Sequence, residues 1–300
     1  MKLRFDSDGF EIAGRLSKPE KPPKSHATGV ILCHGFPSLS TGDHDVAQSY
    51  YDLADLISEQ LGWIVFAITY RGCGSSQGNF SLVGWLNDTI NAAEYLVEHE
   101  EVKSVYATGF GTGGAMAINA ASRSNLFAGV AAVSPPSDFN DWIAEPQDLL
   151  EYARKVGVIR DEQFPQDIEQ WARELEQIQT TIAAENMDGK PLLLVHGSDD
   201  RVVPSFDARV IADAHGGADL RIIDGATHRL RFDPRTTLLV VALENELPRQ
   251  LAVGWQIVYS GVGKVNAAIT LCDALSSFRP KRVVNYGSAG ALQKGLSGLC

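Results

Sequence analysis

The sequence predicts an α/β fold: a doubly wound, mostly parallel sheet carrying a small helical cap over about residues 138–189, followed by an incomplete α/β C-terminal segment. Three observations predict it. Buried-type apolar runs alternate with amphipathic, helix-period stretches from about residue 29 to residue 225, the order that builds parallel sheets covered on both faces. Between Ser137 and Gly189 this order is interrupted by a polar, Trp- and Glu-rich helical stretch. After Arg235 the chain continues with further apolar runs and glycine turns to residue 300.

In chain order, "LRFDSDGFEIAGRL" reads as two short strands about an Asp8-Gly9 turn, followed by a Pro/Lys-rich loop from Lys18 to Lys24 and the buried strand "GVILCHG". The helix "QSYYDLADLISEQLG" precedes strand "GWIVFAITYRG", and the helix around "WLNDTINAAEYLVEH" precedes strand "SVYATGF". "FAGVAAVSP" is the next buried strand. Helical periodicity in "DIEQWARELEQIQTTIAAEN" belongs to the cap, after which "PLLLVHG" and "ADLRIIDG" complete the sheet.

Composition bounds the function. The chain has 300 residues, 44 % of them hydrophobic, enough for one large domain or a medium one with a smaller companion. A net charge of −11, spread along the chain, argues against nucleic-acid or anionic-membrane partners and for a small-molecule or protein partner. Cys33, Cys73, Cys272 and Cys300 show no paired spacing, so neither a disulfide framework nor a metal site is indicated, and a cytoplasmic setting is expected. No signal peptide or membrane span is expected either, and the sequence leaves the oligomeric state open.

"TGFGTGGAM", residues 108–116, reads as a strand running into a tight glycine turn and then a helix. With "CHGF", "TYRGCGSSQG", "HGSDDRVVP" and "GATHRLRFDPR" in this order, residues 1–235 resemble the α/β-hydrolase superfamily, whose sheet type and cap match the fold predicted above. The resemblance implies an ester- or amide-cleaving lineage. It places the nucleophile at Gly111, the acid at Asp200, the base at His228, and oxyanion donors on the backbone N–H groups of Phe36 and Thr112.

Gly111 departs from the family pattern, because a triad works through a side chain that the imidazole deprotonates, and glycine has none. Several readings follow. His228 activates a water held in the missing side chain's place, or Thr112 substitutes one residue along, or the site binds a small ligand without turnover. In a purely structural reading, Asp200 and His228 brace two loops. His34 reads as a loop-organising residue and Asp199 as a solvated turn carboxylate. Arg229, Arg231 and Arg235 read as surface ion-pair partners or an anion grip, and Cys73 lacks any activating neighbour in sequence. Trp142 and Trp171 are core aromatics or the walls of an acyl pocket.

"FDPR" supplies a helix start, with Asp233 as N-cap and Pro234 at its first position, so residues 236–250 are read as the closing helix of the first domain, although the β-branched run also reads as the first strand of a second one. Yet "LLVVALENELP", "WQIVYSGVGKVNAA" and "RVVNYGSAGAL" resemble the first part of the purine nucleosidase/phosphorylase family, similar to its methylthioadenosine/S-adenosylhomocysteine type, over about residues 238–299. That resemblance implies a water-activating carboxylate at Glu246 and a pocket-facing Ser288. The family's purine-binding strand and acid Asp lie downstream of the matched segment, so a working nucleosidase is not expected of residues 236–300 alone. The alternative to the hydrolase reading is a fusion with such a nucleosidase acting in nucleoside salvage. No cofactor is expected.

Overall fold

The computed structural model describes residues 1–20, 27–39, 46–100, 102–228, 230, 237–249, 256–261, 264–278, 280 and 282–286. They divide into two units, Met1–Leu230 and Arg231–Cys300. In the first, β1 (Lys2–Ser7) and β2 (Phe10–Ser17) form an antiparallel hairpin, and its two turn residues, Asp8 and Gly9, both have positive φ as a tight two-residue turn requires. There follow β3 (Ala27–Cys33), α1 (Val46–Leu61), β4 (Ile64–Thr69), α2 (Leu82–His99), β5 (Val102–Phe110), α3 (Thr112–Arg123) and β6 (Phe127–Val133). The cap comprises α4 (Asn140–Ala144), α5 (Pro146–Lys155), α6 (Ile168–Leu175) and α7 (Thr180–Glu185). The unit ends with β7 (Leu192–Gly197), α8 (Ser205–His215) and β8 (Asp219–Ile223).

These strands form one eight-stranded sheet, ordered β1-β2-β4-β3-β5-β6-β7-β8 and parallel from β4 to β8. The period-2 alternation of strands shows why it is doubly wound. On β3 and β4, Val30, Leu32, Val65 and Ala67 pack with Tyr51 and Ala54 of α1, whereas Ile31, Cys33, Phe66 and Ile68 face the main core with Trp85 and Leu86 of α2 and Ala117 of α3. Small residues Gly113, Gly114, Ala115 and Ala117 let α3 lie close against the sheet.

Three sequence expectations need correction or extension. The periodic stretch 167–186 is not continuous: α6 ends at Leu175 and α7 begins at Thr180, a break that lets Ile178 turn into the core at 1 % exposure. Helix α8, ended by Gly216 in the left-handed region, lies between the last two strands where the sequence reading placed no element. The third correction concerns the expected closing helix over residues 236–250. Thr237–Val241 is instead a strand, β9, consistent with its β-branched and apolar run; residues 242–249 are turns. Within the first unit, Tyr106, Leu193 and Val195 remain partly exposed on one face of the sheet.

The second unit has its own three-stranded parallel sheet, ordered β10 (Gln256–Tyr259), β9, β11 (Arg282–Tyr286), with helix α9 (Lys264–Phe278) as the crossover. Leu238 and Val240 of β9 pack with Ala274.

One buried ion pair ties three segments of the first unit together. Arg71, after β4, donates from Nη2 to Asp88 Oδ1 of α2 at 2.7 Å and to Ser7 and Asp8 of the hairpin, while its backbone N–H donates to Asp88 Oδ2 at 2.9 Å. Trp85 Nε1 donates to the Arg71 carbonyl at 3.0 Å. Removing one member of such a pair strands a buried charge. Asp88→Ala is expected to lower stability by about 3–5 kcal/mol in urea unfolding. A loss under 1 kcal/mol would show that the network is not holding these segments.

Candidate active site

Strand β5 turns into α3 at Gly111, whose φ of 53° and ψ of −124° lie where L-residues are strained. Its neighbours enforce the turn. A Cβ on Gly109 would meet Gly113 O at 2.3 Å, one on Gly113 would meet His34 O at 2.3 Å, and one on Gly35 would meet Phe110 O at 2.9 Å. The 34–36 turn after β3 is thus pressed against the elbow, which brings the backbone of Phe36 beside the start of α3. Gly111 N donates to Val133 O of β6 at 2.8 Å, and its carbonyl accepts from Ala115 N. Thr112 is the first helical residue, so its N–H has no acceptor within the helix and points out of its positive end.

The loop after β7 presents Asp200. Its Oδ1 accepts from the N–H groups of Val202 and Val203 at 2.9 and 3.0 Å, and its Oδ2 accepts from His228 Nδ1 at 2.8 Å. A second imidazole reaches that same oxygen: His196 Nε2 lies 3.1 Å from Oδ2 and 3.0 Å from Val203 O. Both partners are acceptors, so His196 carries its proton on Nε2. Burial works to raise the Asp200 pKa, but the hydrogen bonds from His196 and His228 and from Val203 and Val202 outweigh it and hold the carboxyl well below the usual carboxylate range. The His228 loop is held as tightly, since a Cβ on Gly197 would meet Ala226 O at 2.1 Å and Asp199 N donates to that carbonyl at 3.0 Å.

With Nδ1 donating to the carboxylate, the neutral imidazole of His228 carries its lone pair on Nε2. A Cβ built on Gly111 would lie 3.4 Å from this Nε2 and 3.6 Å from Cε1. The Asp200 carboxylate, the His228 imidazole and the turn at Gly111 are therefore brought together.

A cleft of about 230 Å³ is lined by Phe36, Trp142, Leu149 and Tyr152 together with the carboxylates of Asp141, Glu145 and Asp148. Phe36 is its organiser, with ring centroids 5.1 Å from Trp142 and 6.1 Å from Tyr152. Trp171 is buried core instead, its Nε1 donating to Phe80 O. His34 is buried in the loop-organising role: its Nδ1 donates to Gly35 O at 2.8 Å and its Nε2 accepts from Tyr70 N at 3.1 Å. Burial lowers its pKa to about 4. Asp199 is exposed at its turn, and the Cys73 thiol is buried with its pKa pushed up by that burial. Arg229, Arg231 and Arg235 lie outside the described residues.

In the second unit, Glu246 sits in the turn after β9 and its Oε2 accepts from Leu243 N at 3.1 Å. Ser288 lies outside the described residues. Among the described residues, no cluster of His, Cys, Asp and Glu is arranged to hold a metal ion, and no helix is long and apolar enough to cross a membrane. His196 is the site residue the sequence reading passed over. Its signal was present in "HGSDD", four residues before the acid.

The family model for the alpha/beta hydrolase family matches residues 30–239, more than half of the chain. The chain belongs to the alpha/beta hydrolase family. Solved hydrolases share its fold: Est1E from Butyrivibrio proteoclasticus has a TM-score of 0.57 at 20 % identity, covering 76 % of this chain and 90 % of that one. GrgF from Penicillium has 0.58 at 18 % identity over 76 % and 90 %. The phosphorylase superfamily model matches residues 253–298. A 5'-methylthioadenosine/S-adenosylhomocysteine nucleosidase of Staphylococcus haemolyticus is 51 % identical over 41 residues, 14 % of this chain and 18 % of that protein, and one of Staphylococcus aureus is 49 % identical over the same length. The chain thus spans less than a fifth of the length of those curated relatives.

Two pH windows follow for the hydrolase unit. Between about pH 6.5 and 4 the unfolded chain takes up a proton at residue 34 that the folded chain refuses, so stability falls as pH drops through this range. Asp200 adds stability that is complete above about pH 3.9 and is lost below it as the carboxyl titrates. Urea titrations across pH 2–7 are expected to flatten over the upper window in His34→Gln and over the lower one in Asp200→Asn. Parallel curves for wild type and variants would contradict this assignment.

Proposed function

We propose that the hydrolase unit cleaves a small ester or related acyl compound, slowly, with His228 and Asp200 activating a water in the place of a residue-111 side chain. One observation carries the reading: the Cβ position at Gly111 is 3.4 Å from His228 Nε2, so a water lodged there sits within reach of the base. As the water oxygen attacks the carbonyl carbon, its proton passes to Nε2, and the ionised Asp200 stabilises the imidazolium. The developing oxyanion takes hydrogen bonds from the N–H groups of Phe36 and Thr112, and the protonated His228 then returns its proton to the departing alkoxide. Serine hydrolases deprived of their triad retain roughly 10³- to 10⁴-fold acceleration over water, and activity of that order is expected here.

The aromatic cleft of Phe36, Trp142 and Tyr152 suits an apolar portion of the substrate, so the partner is a small molecule rather than nucleic acid or membrane. No cofactor enters this chemistry. The buried free thiols Cys33 and Cys73 fit a reducing cytoplasm.

A second reading concerns the other unit, where the 41 residues at 51 % identity favour a fusion with a methylthioadenosine/S-adenosylhomocysteine-type nucleosidase. Glu246 follows the central strand of its parallel sheet, at the carboxyl end where α/β folds place ligands, and would serve as the water-activating carboxylate. Incubation of this chain with methylthioadenosine is expected to release no adenine, and release that disappears in Glu246→Gln would promote this reading over the first.

The hydrolytic reading is tested with short p-nitrophenyl esters. Wild type is expected to turn them over above buffer, His228→Ala to lose that rate, and Gly111→Ser to exceed wild type by about 10²-fold or more through a restored nucleophile. Inert wild type beside an active Gly111→Ser makes the site a ligand-binding pocket without turnover. Inert protein in both cases sinks the assignment of the elbow.

A further inference from the structure

The position of the missing side chain at residue 111 has a chemistry beyond water activation. Among the described residues, and apart from the adjoining chain residues, a carbon atom placed at the Cβ position of Gly111 has His228 within 4 Å: Nε2 at 3.4 Å and Cε1 at 3.6 Å. That separation falls in the range of about 3–3.5 Å at which bound groups are poised to react. Thr112, first residue of α3, adjoins this point in the chain, and the 34–36 turn is packed against the elbow through Gly35 and Gly113. A base without a nucleophile, facing an oxyanion cradle, is the equipment for making an enolate.

We propose that this site abstracts a proton from the carbon α to the carbonyl of an apolar acyl compound, the α-carbon seated where a serine side chain would project and the acyl group's apolar end in the Phe36–Trp142–Tyr152 cleft. The α-C–H bond breaks and its proton bonds to Nε2 of His228. The C–H electron pair becomes the carbon–carbon double bond, the carbonyl π pair moves onto oxygen, and the N–H groups of Phe36 and Thr112 hold the resulting enolate. Return of a proton from Nε2 to carbon restores the starting compound, so no oxidant, reductant or co-reactant is consumed. In an enzyme with a serine at this position the side chain would fill the space and divert the acyl group into a covalent intermediate. Gly111 removes both obstacles. The proposal rests on the same base and oxyanion donors as the hydrolytic reading, but it is observed separately.

The probe is the ethyl thioester of phenylacetic acid in D₂O, followed by proton NMR for loss of its α-CH₂ signal and, in the same sample, for release of phenylacetate. Wild type is expected to accelerate α-proton exchange by about 10²-fold or more over buffer. His228→Gln, which removes the base, and Gly111→Ala, whose methyl occupies the α-carbon's place, are both expected to fall to the buffer rate. Exchange at the buffer rate in wild type overturns the proposal, as does wild-type exchange in either variant. Phenylacetate release without exchange overturns it while leaving the hydrolytic reading standing, and exchange without release does the reverse.

Discussion

The site depends on a set of backbone contacts too close for any side chain. Gly109 and Gly113 face each other across the elbow, Gly113 also meets the His34 carbonyl, and Gly35 meets that of Phe110, each leaving no room for a Cβ. These contacts fix residue 111 at positive φ whatever its identity. The elbow is therefore a property of its flanking glycines. A serine would hold this conformation at a strain of about 1–3 kcal/mol, which glycine does not incur.

The same close approach recurs on the other side of the site. Gly197 against Ala226 clamps the base-bearing loop to β7, and Asp200 receives four donors, two from its own loop's backbone and two from imidazoles. A carboxylate so surrounded is oriented before any ligand arrives and needs no reorganisation when His228 gains a proton. Further away, Arg71 and Asp88 anchor the loop after β4 to α2 and to the hairpin. The rigid parts of the unit thus converge on one open position.

Much of this was legible in the sequence because its determinants are local. Glycines at fixed offsets, the alternation of buried strands with helices, and the spacing of Asp200 to Val203-Pro204 each report a turn or a period that neighbouring residues enforce. What was not legible depended on distant partners. Thr237–Val241 pairs with Gln256–Tyr259 on one side and Arg282–Tyr286 on the other, and those ladders override the Asp-Pro helix-start signal that precedes it. The cap's single helical period divides because Ile178 is drawn into a core assembled from remote segments. His196 lies on a buried strand among apolar residues, where its sequence position alone does not disclose that it reaches Asp200.

The central claim is that His228 and Asp200 stand assembled against an elbow whose only deficit is a side chain. It is tested most directly by reacting folded Gly111→Ser with a fluorophosphonate and locating the adduct by mass spectrometry. The account predicts one phosphonyl group per chain, attached at residue 111, and loss of labelling when His228→Ala is added. A folded Gly111→Ser protein that stays unlabelled, or that labels equally without His228, would contradict it.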